Sequence, residues 1–314
     1  MRQKNKRPAQ AAGAMAVALA AVVCVAALGV ATPVSAAPLL GIVGPRTLVA
    51  FDSATPDTFN QSLEITGIGS DTIRGIDFRP ATGQLFAFGQ SGGLYTVNTA
   101  TGAATSVGPG VPVPAGFFEA SFSFNPVVDR IRITTANDVN RRVDPNTGTT
   151  IIDTPLAYVA GDPNAGRDPT ITAVAYTNQV AGTVLSTVLY GIDVRTSSLV
   201  TINPANDGAV QTVGSLGINL FGPGTGFGIA FDIDGETGIA YASLLNAVGA
   251  LGPQGLFTID LATGAASFIG GYGGSTVREI TVGSLVAVPE PASLALLGSA
   301  LLGFAAVRLR RREG

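Results

Sequence analysis

Short runs in which apolar and polar residues alternate fill the chain from residue 38 to residue 286, with turn-forming residues between them. Alternation with a period of two puts successive side chains on opposite faces of a strand. RGIDFRP, QLFAFGQ, GLYTVNT and AATSVG therefore predict four consecutive strands, joined by turns that hold the Gly, Asn, Asp, Pro and Thr hairpins require. The pattern repeats. LVAFDSATP, LYTVNTATG, NRRVDPNTG, LYGIDVRTS and LFTIDLATG each set Asp52, Asn98, Asp144, Asp193 or Asp260 after an apolar strand and before a polar turn. GIDFRP, SFSFNP, AVAYTN and GIAFDI interleave with them and carry the aromatics Phe78, Phe124, Tyr176 and Phe231. A recurrence of roughly fifty residues is the mark of an array of supersecondary units.

The first strand of each unit has a bulky and a small face. Ile76 and Phe78, Phe122 and Phe124, Val174 and Tyr176, and Ile229 and Phe231 share the bulky one. Gly75 and Asp77, Ser121 and Ser123, Ala173 and Ala175, and Gly228 and Ala230 share the small one. Such a sheet stacks face to face on a copy of itself, and radial stacking of four-stranded sheets is a β-propeller. VREITV near the end reads as a first strand with nothing after it, while PLLGIVG and TLVAFDS read as second and third strands with no first. Together they make a composite blade that closes the ring. The expectation is an all-β propeller of five blades, or six if the interval between Asp193 and Asp260 holds further strands; a β-sandwich or β-solenoid is the alternative.

The two ends are of a different kind. MRQKNKR precedes an uncharged Ala- and Val-rich run from Ala11 to Ala31, and Val34-Ser35-Ala36 offers a small-residue cleavage site. This reads as a secretory signal peptide over residues 1–36, predicted helical and removed by signal peptidase; a lipoprotein reading would instead make Cys24 the acylated residue. At the other end Ala292 to Val307 is apolar and is followed by RLRRR, which predicts a short transmembrane helix with its basic flank on the cytoplasmic side. A plain tail anchor fits that run. Val288-Pro289-Glu290-Pro291-Ala292, the apolar run and the arginine tail together resemble the PEP-CTERM sorting signal of Gram-negative bacteria, over residues 288–314. The resemblance implies recognition of Pro289, Glu290 and Pro291 by an exosortase, in organisms that often make exopolysaccharide. Either way the body lies outside the cytoplasm, in the cell envelope or at the surface, anchored in the inner membrane for some or all of its life.

The body from residue 38 to 286 resembles an exported repeat family of unknown function, the domain-of-unknown-function family 4394, through GIDFRPATGQLFA followed by GLYTVNTATGAATSVG. The unit at Thr196-Ser197-Ser198 departs from the Thr-Gly expected there. That family supplies no catalytic residues.

Charge and composition narrow the chemistry. Residues 37–288 hold 19 Asp and Glu against 10 Arg, a net of −9, which disfavours nucleic acid as a partner. Both lysines and the one cysteine lie before residue 37, and the chain has no histidine. A Ser-His-Asp triad, a cysteine nucleophile, a Schiff base and histidine metal sites are thereby excluded from the body. A carboxylate-pair glycosidase remains chemically open. Arg74, Asp77, Glu119, Arg278 and Glu279 fall on or beside first strands, which line a propeller axis, and are candidate ligand-binding groups; pairing across blades is their structural alternative. Asp232, Asp234 and Glu236 offer alternating oxygens for Ca²⁺, in a stretch that also reads as an ordinary turn. Asp162 and Asp168 flank a similar loop. The functional expectation is a non-enzymatic binding or structural protein whose partner is exopolysaccharide or another envelope protein, with a carboxylate-dependent carbohydrate-active hydrolase or lyase as the alternative.

Overall fold

The computed structural model describes residue 1 and residues 36–113, 119–220, 228–245 and 254–285. The expected signal helix and transmembrane helix, and the sorting residues Pro289, Glu290 and Pro291, lie outside the described residues. Among the described residues no helix is long and apolar enough to cross a membrane.

The strands form five sheets. The first blade orders β21 (Val277–Val282), β1 (Pro38–Val43), β2 (Thr47–Asp52) and β3 (Thr55–Glu64). The second runs through β4 (Ile73–Arg79), β5 (Gln84–Gly89), β6 (Leu94–Val97) and β7 (Ala104–Ser106). The third comprises β8 (Ala120–Asn125), β9 (Arg130–Thr135), β10 (Asn140–Val143) and β11 (Thr150–Ile152). The fourth contains β13 (Ile171–Tyr176), β14 (Leu189–Asp193), β15 (Ser198–Ile202) and β16 (Ala209–Ser215). The fifth has β17 (Ala230–Ile233), β18 (Ala240–Leu245), β19 (Gln254–Ile259) and β20 (Ala266–Gly271). The innermost strands β21, β4, β8, β13 and β17 each touch the next around a closed ring. Closure is the composite blade expected from the sequence, with β1 antiparallel to β21 from Leu39 opposite Val282 to Val43 opposite Val277. One strand was not expected: β12 (Ala157–Tyr158) carries the chain out of the third blade and pairs in parallel with β16 of the fourth.

The repeated Asp and Asn residues have one task in common. Asn98, Asp144 and Asp260 each accept backbone N–H groups two and three residues on, at 2.8–3.3 Å, and close an Asx turn. Within their own turns Asp52 and Asp193 accept the N–H two residues on but not the one three on, and Asp193 also accepts the Thr170 N–H at 3.1 Å and the Tyr158 hydroxyl. The glycine ending the full turns, Gly102, Gly148 or Gly264, sits at φ 74°, 70° or 84°, a region open to glycine and expensive for most other residues. Ser197 holds that place in the departing unit at φ 50°. Its side chain explains why: Ser197 Oγ accepts the buried Leu220 N–H at 2.8 Å, a bond glycine could not make.

The blades stack small face against bulky face. A Cβ on Gly75 would stand 2.4 Å from Cβ of Phe122 on the next blade, so glycine is needed for the approach. Four of the five seams are apolar. Leu40, Ile42 and Leu48 of the first blade cluster with Ile73, Ile76 and Leu85 of the second, and Phe86 and Phe88 of the second with Phe122, Phe124 and Ile131 of the third. Ala173 and Ile192 of the fourth meet Phe231 and Ile233 of the fifth, and Ala230 and Tyr241 of the fifth meet Leu39 and Val277 of the first. The remaining apolar cluster, around Tyr158, Val174, Tyr176 and Ile202, contains only fourth-blade residues and the β12 strap leading into that blade. The third blade faces it with polar side chains.

Candidate functional site

Innermost strands leave one edge of backbone groups unpaired toward the axis, and buried N–H groups must find acceptors elsewhere. Side chains of adjacent blades supply them. Asp77 Oδ2 accepts the Phe124 N–H at 2.7 Å, Ser123 Oγ accepts the Tyr176 N–H at 3.2 Å, and Asp232 Oδ2 accepts the Val282 N–H at 2.7 Å. Gln254 Oε1 accepts the Val277 N–H at 2.8 Å. The small-face residues of the repeat thus cap the neighbouring blade as well as making room for it.

Asp77 and Asp232 come near one another at the axis. Burial and then the Asp232 charge push Asp77 well above the ordinary carboxylate range, and burial pushes Asp232 up to about 6. Thr281 donates to Asp77 Oδ1 at 3.2 Å. Gln179, with its amide turned to suit both partners, donates to Asp77 at 3.2 Å and accepts from Ser123.

Nearer the start of the innermost strands, Arg74, Glu119, Arg278 and Glu279 gather. Arg74 and Arg278 are the extra residues of two β-bulges, at Ile73/Gly75 and opposite Ile42/Val43, a device that re-aims a side chain. Burial raises Glu119 to about 7 against the attraction of both arginines. Burial and then the Glu119 charge raise Glu279. Glu119 Oε1 is buried without a hydrogen-bond partner. Four of the five candidate residues therefore meet, and Asp77 belongs with Asp232 instead.

The acidic stretch after β17 does not converge. Asp232 turns inward, Asp234 Oδ1 accepts the Glu236 and Thr237 N–H groups in an Asx turn, and Glu236 is exposed. Asp162 is taken up by its own surroundings, accepting from Thr212 N–H and Oγ1 at 2.7 and 2.8 Å and from the Asn164 N–H at 2.8 Å. Among the described residues no group of three His, Cys, Asp or Glu side chains is placed to hold a metal ion.

The polar seam between the third and fourth blades was not anticipated. Four of the ten arginines of residues 37–288 stand on one hairpin, β9–β10, as Arg130, Arg132, Arg141 and Arg142. Arg132 and Arg142 lie directly opposite across the two strands, an arrangement of like charges that requires an anion. Asp153, buried in the strap after β11, is that anion: its Oδ2 takes Arg132 Nη1 at 2.6 Å and Arg142 Nε at 2.8 Å, and its Oδ1 takes Arg142 Nη2 at 2.8 Å. Arg132 reaches across the seam to Asn206 Oδ1 at 2.7 Å, and Asn140 donates to the Ala205 carbonyl at 2.8 Å. Above this floor opens a cleft of about 560 Å³. Arg130, Arg142 and Ile151 line it from the third blade, and Tyr176, Val188 and Asn203 from the fourth. Ligand pockets commonly enclose about 300–1,000 Å³. The crowding of arginines in RIRITTANDVNRRV was the available sequence signal; strand pairing was needed to show that three share a face.

Fold and seam define a five-bladed β-propeller with a basic lateral cleft. The chain belongs to the family described as the domain of unknown function DUF4394, whose model matches residues 47–281. A PEP-CTERM protein-sorting motif matches residues 287–312, so the protein is an exported, exosortase-sorted protein of the Gram-negative cell envelope. Comparison with curated proteins gives no match. Among solved structures the chain is similar to one from a nidogen/laminin complex, at 12% identity over 79% of this chain and 98% of that one, TM-score 0.45. It is also similar to Myxococcus xanthus glutaminyl cyclase, at 12% identity over 68% and 83%, TM-score 0.41. A protein of unknown function from Bacteroides thetaiotaomicron matches at 16% identity over 78% and 64%, TM-score 0.46. Likeness at this level carries no inference about what this chain binds or does.

Proposed function

We propose that the propeller is a non-enzymatic binding module of the cell surface or extracellular matrix, and that its ligand sits in the seam between the third and fourth blades. The observation that carries this reading is the break in an otherwise apolar ring: four seams bury hydrophobic clusters, and the fifth is built from arginines, asparagines and Asp153 around an open cleft. Burying charge in a seam is less favourable than packing it with apolar side chains, so a polar seam retained beside a cleft points to recognition. Supporting binding over a carboxylate-dependent hydrolase is the use of Asp77 and Asp232 as backbone acceptors, with exposures of 2% and 5%. Exopolysaccharide and envelope proteins are the partners its address makes available.

The test is a retention assay of the purified protein on the producing organism's exopolysaccharide and on its envelope proteins, run with calcium and with chelator, while released fragments are measured. Retention without fragments fits the reading. Fragment release that disappears in Asp77→Asn or Glu119→Gln would replace it with the hydrolase, and dependence on calcium would bring the cation into the account.

A further inference from the structure

The proposal of a ligand in the seam leaves its chemistry open, and two independent features of the cleft bear on it. The first is charge. Arg130, Arg132 and Arg142 share one face of the third blade, against two carboxylates: Asp153 takes both Arg132 and Arg142, and Asp144 takes Arg130 at 3.1 Å. One guanidinium charge is in excess, in a body that is net −9 over residues 37–288. Arg142 is 30% exposed in its side chain and commits Nε and Nη2 to Asp153, which leaves Nη1 to donate into the cleft.

The second feature is the rim. Val128 is 55% exposed, Ile151 48% and Val188 41%, and all three line the cleft. Ile152, Val127 and Leu185, on the same three segments, are also exposed. Apart from Met1, Phe268 is the one other large exposed hydrophobic residue among those described. Apolar exposure gathered at one place on a soluble surface marks an interaction site. The rim is aliphatic. Sugars are commonly held by stacking on aromatic faces, and the one aromatic of the cleft, Tyr176, is 2% exposed. Ile151 also lies on β11, the outer strand of its sheet, whose free edge can receive an added strand.

We infer that the cleft docks an extended segment of a partner protein in which an aspartate or glutamate stands beside aliphatic side chains. The carboxylate meets Arg142 and Arg130, the aliphatic groups cover Val128, Ile151 and Val188, and the segment runs along β11. The inference rests on the binding-module reading and adds the ligand class to it.

Calorimetric titration of the purified full-length protein with capped Thr-Val-Glu-Val-Thr peptides tests it, with the Gln counterpart and an oligogalacturonate as comparisons and the mass of each peptide checked afterwards. The Glu peptide should bind saturably and the Gln peptide about tenfold more weakly, the factor lost with one charge-assisted hydrogen bond. Arg142→Gln should produce the same loss, and Ile151→Thr, at an exposed position that does not endanger folding, a severalfold one. Absence of binding, equal binding of the two peptides, or indifference to both variants would overturn the proposal. Oligogalacturonate binding in place of the peptide and lost in Arg142→Gln would overturn it in favour of an acidic glycan. Cleavage of a bound peptide would leave the cleft assigned and refute the non-enzymatic reading, so the two failures are distinguishable.

Discussion

Replacing Glu119 by glutamine isolates the electrostatics of the axial cluster. Glu119 is 6% exposed, with an ordinary value of 4.5 that burial raises to about 7. In the pH window from about 4.5 to 7 the folded protein keeps a proton that the unfolded chain has released. Stability therefore falls as pH rises through that window, and the loss is complete above it. Each pH unit between the two values is worth ~1.4 kcal/mol, so the whole loss is about 3 kcal/mol. Glutamine carries no charge at either end of the window. Glu119→Gln should match the wild type near pH 4.5 and exceed it by about 3 kcal/mol near pH 8, and relief of Glu279, which no longer faces a second carboxylate, adds to that gain. Urea unfolding at a series of pH values reads this directly. A difference between the two proteins that stays constant from pH 4.5 to 8 would refute the reasoning, because it would mean that Glu119 titrates alike in both states.

Three further outcomes follow from particular contacts. Gly83 and Gly102 end equivalent turns at φ 69° and 74°, but a Cβ on Gly83 meets nothing within 4 Å while one on Gly102 would stand 2.3 Å from the Glu64 carbonyl oxygen. Gly83→Ala should cost about 1–2 kcal/mol for the left-handed backbone alone, and Gly102→Ala at least about 1 kcal/mol more for the clash, both read by denaturant melts. Arg132→Met removes the 2%-exposed partner of Asp153 and leaves the Asn140 and Asn206 oxygens without their donor, a loss of about 3–5 kcal/mol. Arg142→Gln, at the solvent end of the same network, should cost about 1 kcal/mol or less. In the producing organism Glu290→Ala should block processing of the tail, measured by the mass of the mature protein; unchanged processing would count against recognition through Pro289, Glu290 and Pro291.

Much of the ring was legible in the sequence because its signals are local. The strand alternation, the Asp and Asn turns ending in Thr-Gly, and the orphan strand VREITV each follow from the geometry of a few consecutive residues, and they predict the blades and the closure of β1 on β21. The β12 strap was not legible, since a pair as short as Ala157–Tyr158 has no periodicity to detect. Of the axial candidates, Arg74, Glu119, Arg278 and Glu279 were reached by placing them on first strands, and the structure brings them together. The stretch holding Asp232, Asp234 and Glu236 reads in sequence as a calcium candidate or an ordinary turn; the alternation of β17 sends Asp232 inward to the Val282 N–H, and Asp234 closes an Asx turn.

The sequence by itself determined the repeat, the turns and the carboxyl-terminal sorting motif, since these depend on side-chain period, on the few residues that tolerate a tight turn, and on a motif read by a processing enzyme. The tertiary structure alone decided which face of each blade meets which neighbour. That choice converts Arg130, Arg132 and Arg142 from scattered charges on a hairpin into the floor of a cleft, because like charges on one face are tolerated only where Asp153, delivered by the strap from β11 to β12, is buried between them.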